Sequence, residues 1–306
     1  MASIFAFVGA MLVGYVAIQK TMEMQISVVL NQVAIRMLPQ LDFRYRNVRV
    51  SLWERAVRIN GISIQSLGER ESLRIERVSV SEVDWDTIFR LAQTGGMITL
   101  PRTVRVGFKG MHLTPRLLGA KPAALLKQLG YDDIELSMSS GFLFDRSAKI
   151  FGIDRMNVEI QEMGRLSFSV EVGDFPFPTD RDLIALSRDP KSEKPPVPEF
   201  ADLTLRYGEI RYDDFSLVGR VDQMLKNEGM PGLAAVIESS TRLPASADGF
   251  VGQATAKLKK FIATPEQSIR LSTRPSEPLP FAAIGLEALL GPDKLAKRLD
   301  LRLDVN

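Results

Sequence analysis

Between Ile134 and Val172, apolar and polar residues alternate in three successive runs. Ile134, Leu136, Met138, Phe142 and Phe144 share one parity, broken only by Ser140, while Glu135, Ser137, Ser139 and Asp145 occupy the other. Successive side chains of a strand point to opposite faces, so this run predicts a strand with one dry face. A turn from Asp145 to Ala148 leads to a second strand, with Met156, Val158 and Ile160 set against Arg155, Asn157, Glu159 and Gln161. Glu162, Met163 and Gly164 then form a three-residue loop whose glycine is expected to supply the left-handed conformation of a bulged hairpin. Leu166, Phe168, Val170 and Val172 repeat the pattern against Arg165, Ser167, Ser169 and Glu171. The three runs predict an antiparallel meander with one polar and one apolar face. The functional question is what covers the apolar one.

Upstream, Ala2 to Ile18 carries no charge and is rich in Ile, Phe, Val, Leu and Met. At 1.5 Å per residue, about 17 to 20 such residues suffice to cross a bilayer core. The basic opening and small-residue cleavage site of a signal peptide are not evident, so the stretch predicts a retained anchor. Ala6, Ala10 and Gly14 add a weak stripe of small residues. Beyond Lys20, Met22, Ile26, Val29, Leu30, Val33 and Met37 recur at helical spacing until Pro39, predicting an amphipathic continuation that docks on the sheet or lies at a lipid interface.

From Leu41 the pattern becomes strand-like, and its parity slips repeatedly. Leu41, Phe43 and Tyr45 give way to Val48, Val50 and Leu52, and three-residue steps separate Ile59 from Ile62, Ile75 from Val78, and Tyr207 from Ile210. Each slip reverses the inward face unless a bulge absorbs it or a new strand begins. Helices are expected near 85–93, 117–129, 180–187, 216–228, 231–240, 249–263 and 281–290, with strands at 97–108, 203–212, around Ile269 and Leu271, and from Leu299 to Val305. Ser216 fits an N-cap and Gly229 a stop. Six prolines between Asp174 and Glu199 mark a connector.

The expected fold is α+β: an N-terminal membrane helix, then a curved, mainly antiparallel sheet partly covered by helices. The expected segments are the anchor and juxtamembrane helix (1–38), a β-rich domain (39–173), the connector (174–199) and an α+β segment returning to the sheet (200–306).

Composition narrows the chemistry. A net charge of +2 is too small to read the whole chain as a nucleic-acid binder. Without cysteine there are no disulfides, thiol nucleophiles or cysteine-ligated metals. His112 is the only histidine, and no Walker A, G-x-S-x-G, H-E-x-x-H or G-x-G-x-x-G pattern occurs. Tyr-Asp-Asp appears twice, at 131–133 and 212–214, and reads as turn and cap residues rather than cation ligands, because no further ligands follow at loop spacing. Arg44, Arg46, Arg49, Arg55 and Arg58 cluster just beyond the anchor, where they either meet anionic headgroups or form a solvated strand face. No catalytic residue, cofactor or metal site is expected.

The stretch LDFRYRNVRV (41–50), followed by VRINGISI (57–64), resembles the opening of AsmA-like bacterial envelope proteins, and the meander from Leu129 resembles their strand-rich segments. The resemblance implies an inner-membrane anchor, a periplasmic β body and a non-enzymatic role in lipid traffic or envelope assembly. Lys20 and Arg36 behind the span favour the opposite orientation by charge count. The expected partners are membrane lipids and an envelope or membrane-complex protein. On this reading Leu136, Phe142, Phe144, Val158 and Phe168 line an apolar groove for lipid-like ligands. The alternative is an assembly factor whose sheet is closed by its own helices.

Overall fold

A computed structural model of the chain describes residues 2–37, 41–66, 68, 71–82, 102–178, 202–240 and 249–306. The expected helices near 85–93 and 180–187 lie outside the described residues, as does most of the connector. The fold is α+β, and its strand pairings are antiparallel. The chain divides into two compact units, the break falling between His112 and Leu113.

In the first unit, α1 (Ala2–Met37) is one uninterrupted helix, about 54 Å long at 1.5 Å per residue. Among the described residues no helix is long and apolar enough to cross a membrane, so the expected N-terminal membrane helix is seen only as a helix and not as a span; the side chains before Tyr15 lie outside the described residues. The strands are β1 (Leu41–Arg44), β2 (Asn47–Ser51), β3 (Ala56–Ser66), β4 (Ser72–Ser81) and β5 (Thr103–Leu113). Both β1 and β2 pair with β3, which pairs with β4, and β4 with β5. The first parity slip is therefore a break between two short strands. The next two are handled differently. Ile59 pairs with Val78 and Ile62 with Ile75, in unbroken register. Left-handed Gly61 (φ 64°) and Gly110 (φ 61°) lie at this level on either side of β4. A left-handed glycine turns the strand about its own axis without a Cβ penalty, which lets the slip pass without a change of register.

The amphipathic half of α1 docks on this sheet. Met22 is buried with Val48 and Val50, and Tyr45 donates to Asn31 Oδ1 (3.0 Å). An edge strand exposes unpaired N–H groups. Here the Val50 N–H, which faces away from β3, donates to the Glu23 carboxylate at 3.1 Å, and Lys20 holds the other oxygen at 2.6 Å. Burial alone raises the Glu23 carboxyl. Hydrogen bonds from Lys20, Val50 and Gln19, with the Lys20 charge, outweigh it and hold the group below its ordinary value. Its stabilising contribution is therefore complete above the ordinary carboxylate pKa and is lost as pH falls through the depressed one. Glu23→Ala leaves a buried N–H without an acceptor and is expected to cost about 1–3 kcal/mol. Glu23→Gln, which keeps an acceptor, costs less. Hydrogen exchange at the Val50 amide reads both: Glu23→Ala should lower its protection, and unchanged protection would refute the contact.

The second unit contains α2 (Ala120–Gln128), β6 (Ile134–Asp145), β7 (Ile150–Ile160), β8 (Gly164–Gly173), β9 (Thr204–Asp214), α3 (Leu217–Asn227), α4 (Leu233–Ser240) and α5 (Phe250–Ala263). After these come β10 (Ser268–Thr273), β11 (Leu279–Pro280), α6 (Phe281–Leu290), α7 (Pro292–Arg298) and β12 (Arg302–Val305). The sheet runs β6-β7-β8-β9-β10-β12, with β11 also on β9. The final strand thus returns to the sheet, although it is shorter than expected because α7 takes the residues just before Leu299.

Two bulges keep one face apolar. Arg155 (φ 46°) is the extra residue on β7, between the pairs Ile153–Val170 and Met156–Phe168. Arg206 is extra on β9, between the partners of Val172 and Glu171. The slip in β9 therefore falls one step earlier than the spacing suggests, and Tyr207 joins the polar face. The β7–β8 hairpin also corrects an expectation. Its left-handed residue is Glu162 (φ 63°), not Gly164. Gly164 is required for closeness instead: a Cβ there would lie 2.6 Å from Tyr212 Oη and 2.7 Å from the Asp213 carbonyl oxygen.

Candidate functional site

Residues paired directly across strands project to the same face, so the register of the second unit defines its apolar face. Leu136, Met138, Phe142 and Phe144 on β6 lie opposite Ile160, Val158, Ile153 and Phe151 on β7. Val158, Met156, Ile153 and Phe151 in turn lie opposite Leu166, Phe168, Val170 and Val172 on β8. Leu166 and Phe168 meet Tyr212 and Ile210 on β9. Ile210 meets Leu271 on β10, and Leu271 meets Leu303 on β12. Apolar rows therefore cross the sheet from strand to strand.

Helices cover two parts of this face. At one end Leu129, Tyr131, Ile134 and Met163 are buried with Leu118, Leu126, Leu217, Val221 and Met224 of the flanking helical segments. At the other, Leu205, Leu279, Leu295 and Leu299 pack with Val170, Phe281, Ile284 and Leu301. Phe261 of α5 meets Tyr212 edge-on at 6.2 Å. The middle is open. Leu166, Ile210 and Leu271 are 43%, 47% and 37% exposed, and they adjoin Phe168 and Val158, which are half-buried.

The five residues expected to line a groove share this face but do not form one site. Val158 and Phe168 border the open strip. Leu136 sits toward the helix-covered end, opposite Ile160. Phe142 and Phe144 stack at 6.4 Å within an aromatic cluster completed by Phe151, Phe175 and Phe177. The chain after β8 folds back to build that cluster, anchored by the Phe175 N–H on the Lys149 carbonyl (2.9 Å). Ile210 and Leu271 are the additions. Their alternation was visible, but the adjacency of Ile210 to Phe168, and of Leu271 to Ile210, depends on pairing across the connector. Ser140, which interrupts β6, is 1% exposed, and among the described residues its hydroxyl has no hydrogen-bond partner.

The opposite face is polar and largely self-compensated. Arg165 pairs with Glu159 at 2.6 Å, and Ser167 donates to Asn157 (2.8 Å). Glu209 accepts from Tyr207 and Arg270, each at 2.6 Å. Burial works to raise the Glu209 carboxyl, but those hydrogen bonds and the Arg270 charge hold it low. Burial first, and then the Glu209 hydrogen bond and charge, push the Tyr207 phenol up.

The two Tyr-Asp-Asp stretches meet around the β7–β8 hairpin. Tyr131 Oη and Ser216 Oγ share a hydrogen bond of 2.8 Å, and the Arg220 guanidinium lies 4.1 Å from the Tyr131 ring centre. Tyr212 donates to Asp214 (3.0 Å) and to the Met163 carbonyl (3.3 Å). Burial and then Asp214 push its phenol well up. Asp214 also accepts the Val218 N–H at 3.0 Å, capping α3 in place of Ser216, whose own hydroxyl donates to the Glu162 carbonyl. These contacts make a structural knot. Among the described residues no cluster of three or more His, Asp or Glu gathers for a metal, and His112 is exposed on β5.

A family model described only as "Uncharacterized protein" matches residues 157–306. That span contains Phe168, Ile210, Leu271 and the helices from α3 onward, but not α2. No curated protein matches the chain.

Proposed function

We propose that this chain is a membrane-anchored, non-enzymatic envelope protein that binds a lipid-like apolar ligand on the open strip of its second unit. The observation that carries the reading is the run of Leu166, Ile210 and Leu271, exposed between two helix-covered ends of an otherwise dry face. Contiguous exposed apolar surface on a folded domain marks an interaction site or ligand groove. The anchor rests on the charge-free stretch from Ala2 to Ile18, whose last turn leaves Tyr15, Val16 and Ile18 exposed. The inner-membrane location and periplasmic side rest on the resemblance of the early strands to AsmA-like proteins. A second reading, an assembly factor, is favoured by the aromatic cluster around Phe144, which the chain itself covers through Phe175 and Phe177.

Mass spectrometry of apolar molecules co-purified with the full chain tests the carrier reading. Wild type is expected to retain lipid-like molecules, and Ile210→Ser with Phe168→Ser to reduce their recovery several-fold. A wild-type protein that carries none would favour the assembly factor.

A further inference from the structure

The polar face of the first unit holds a separate feature. Arg46, Asn47, Arg49, Asn60, Gly61, Glu76 and Arg77 line a cavity of ≈ 310 Å³. A second hollow, lined by Gln19, Lys20, Glu23, Asn47, Val48 and Arg49, adjoins it through Asn47 and Arg49.

The charge in this place is unbalanced. Arg49 lies directly across from Arg58, and Arg77 across from Lys109. Like charges facing each other on antiparallel strands destabilise the pair. Arg58 is relieved by Glu54 (2.5 Å) and Lys109 by Glu76 (3.8 Å), while Lys20 is held by Glu23. Among the described residues, Arg46, Arg49 and Arg77 form no ion pair. The site is nevertheless ordered. Asn60 accepts from Arg77 Nε at 3.0 Å and donates to Asn47 Oδ1 at 2.8 Å. Gly61 forms the floor, where a Cβ would lie 2.9 Å from Arg46 Cβ. Three arginines lining one hollow, one of them held by an asparagine pair and with the lining Glu76 paired to Lys109, suit a phosphate group that accepts several charge-assisted hydrogen bonds.

Position selects the source of that phosphate. The adjoining hollow is walled by α1 at Gln19, Lys20 and Glu23, immediately after the charge-free stretch. On the anchored reading proposed above, that stretch lies in the bilayer, and Arg49, beside Lys20 and Glu23, follows it closely in space. We infer that Arg46, Arg49 and Arg77 form a binding site for the phosphodiester headgroup of an anionic phospholipid. The inference rests on the anchor part of the proposed function and is independent of the apolar strip.

The test uses the full chain in detergent micelles, offered phosphatidylglycerol or phosphatidylcholine and read by native mass spectrometry. Wild type is expected to retain phosphatidylglycerol in preference to phosphatidylcholine. At roughly 1 kcal/mol per basic residue near an anionic headgroup, each arginine replaced by alanine lowers the affinity for phosphatidylglycerol about fivefold. Arg49→Glu, whose side chain is exposed and unpaired, keeps the test decisive if the triple alanine variant fails to fold. Lys121→Ala with Lys127→Ala, exposed on α2, removes charge elsewhere and should change nothing. Equal retention of the two lipids, or an Arg49→Glu variant indistinguishable from wild type, overturns the site. Displacement of the lipid by inorganic phosphate at matched concentration shows a free-anion site and overturns the lipid assignment. Alkaline carbonate extraction of membranes separates the two failures. Release of the full chain counts against the anchor, whereas retention without lipid preference counts against this site alone.

Discussion

Tyr131→Ala is expected to lower the stability of the second unit by about 3–5 kcal/mol, the range for truncating a buried aromatic residue. Tyr131 is 3% exposed in the core that joins Leu129, Ile134 and Met163. Its ring also lies under the Arg220 guanidinium, which is itself fixed by the carbonyls of Leu129 and Gly130 at 3.0 and 2.8 Å. Truncation therefore opens a cavity and removes a cation–π contact together. Tyr131→Phe keeps the ring and loses only the hydrogen bond to Ser216, so it should cost about 0.5–1.5 kcal/mol. Urea titration reads both as shifts in midpoint at constant slope. With two compact units, the transition of the second must be resolved from that of the first before the numbers are compared. A Tyr131→Ala midpoint equal to that of wild type would show that this end of the sheet is not held by the knot.

The same residues show how far the sequence could be read. Alternation placed β6, β7 and β8 because period-two patterning on a half-dry sheet is a strong signal, and their observed limits, Ile134–Asp145, Ile150–Ile160 and Gly164–Gly173, follow it closely. The hairpin loop was legible in length but not in detail. Glycine is the usual left-handed residue, yet Glu162 takes that role, and Gly164 is needed instead because Tyr212 and the Asp213 carbonyl fill the space where a Cβ would lie. That constraint comes from a strand some fifty positions away, which no local pattern contains.

The candidate site was legible in part for the same reason. Phe168 and Val158 were readable as residues of a dry face, but only register across β8, β9 and β10 brings Ile210 and Leu271 beside them. Phe142 and Phe144 looked equivalent to Phe168 by parity. They differ because Phe175 and Phe177, in a stretch that reads as connector, return to pack on them. The paired Tyr-Asp-Asp stretches give the converse case. Their local reading as turn and cap residues was sound for Asp214, while the convergence of both tyrosines on one hairpin was not visible from spacing.

The contrast between covered and open parts of one face gives the last prediction. Leu295, on α7, is 8% exposed and packs with Leu205, Leu279 and Leu299 over the covered part, so Leu295→Ala should cost about 2–5 kcal/mol. Leu271 lies on the sheet face that Leu295 packs against but is 37% exposed, so Leu271→Ser should cost no more than about 1 kcal/mol, near the range of ordinary surface changes. If the strip holds a lipid-like ligand, the functional order is the reverse. Leu271→Ser then lowers the apolar material recovered per folded molecule, and Leu295→Ala leaves it unchanged. Measuring denaturant midpoints and recovered lipid on the same preparations separates packing from binding. Equal destabilisation by the two variants would mean that the strip is covered in the functional state. The helices would then act as a closed lid, and the assembly-factor reading would replace the carrier.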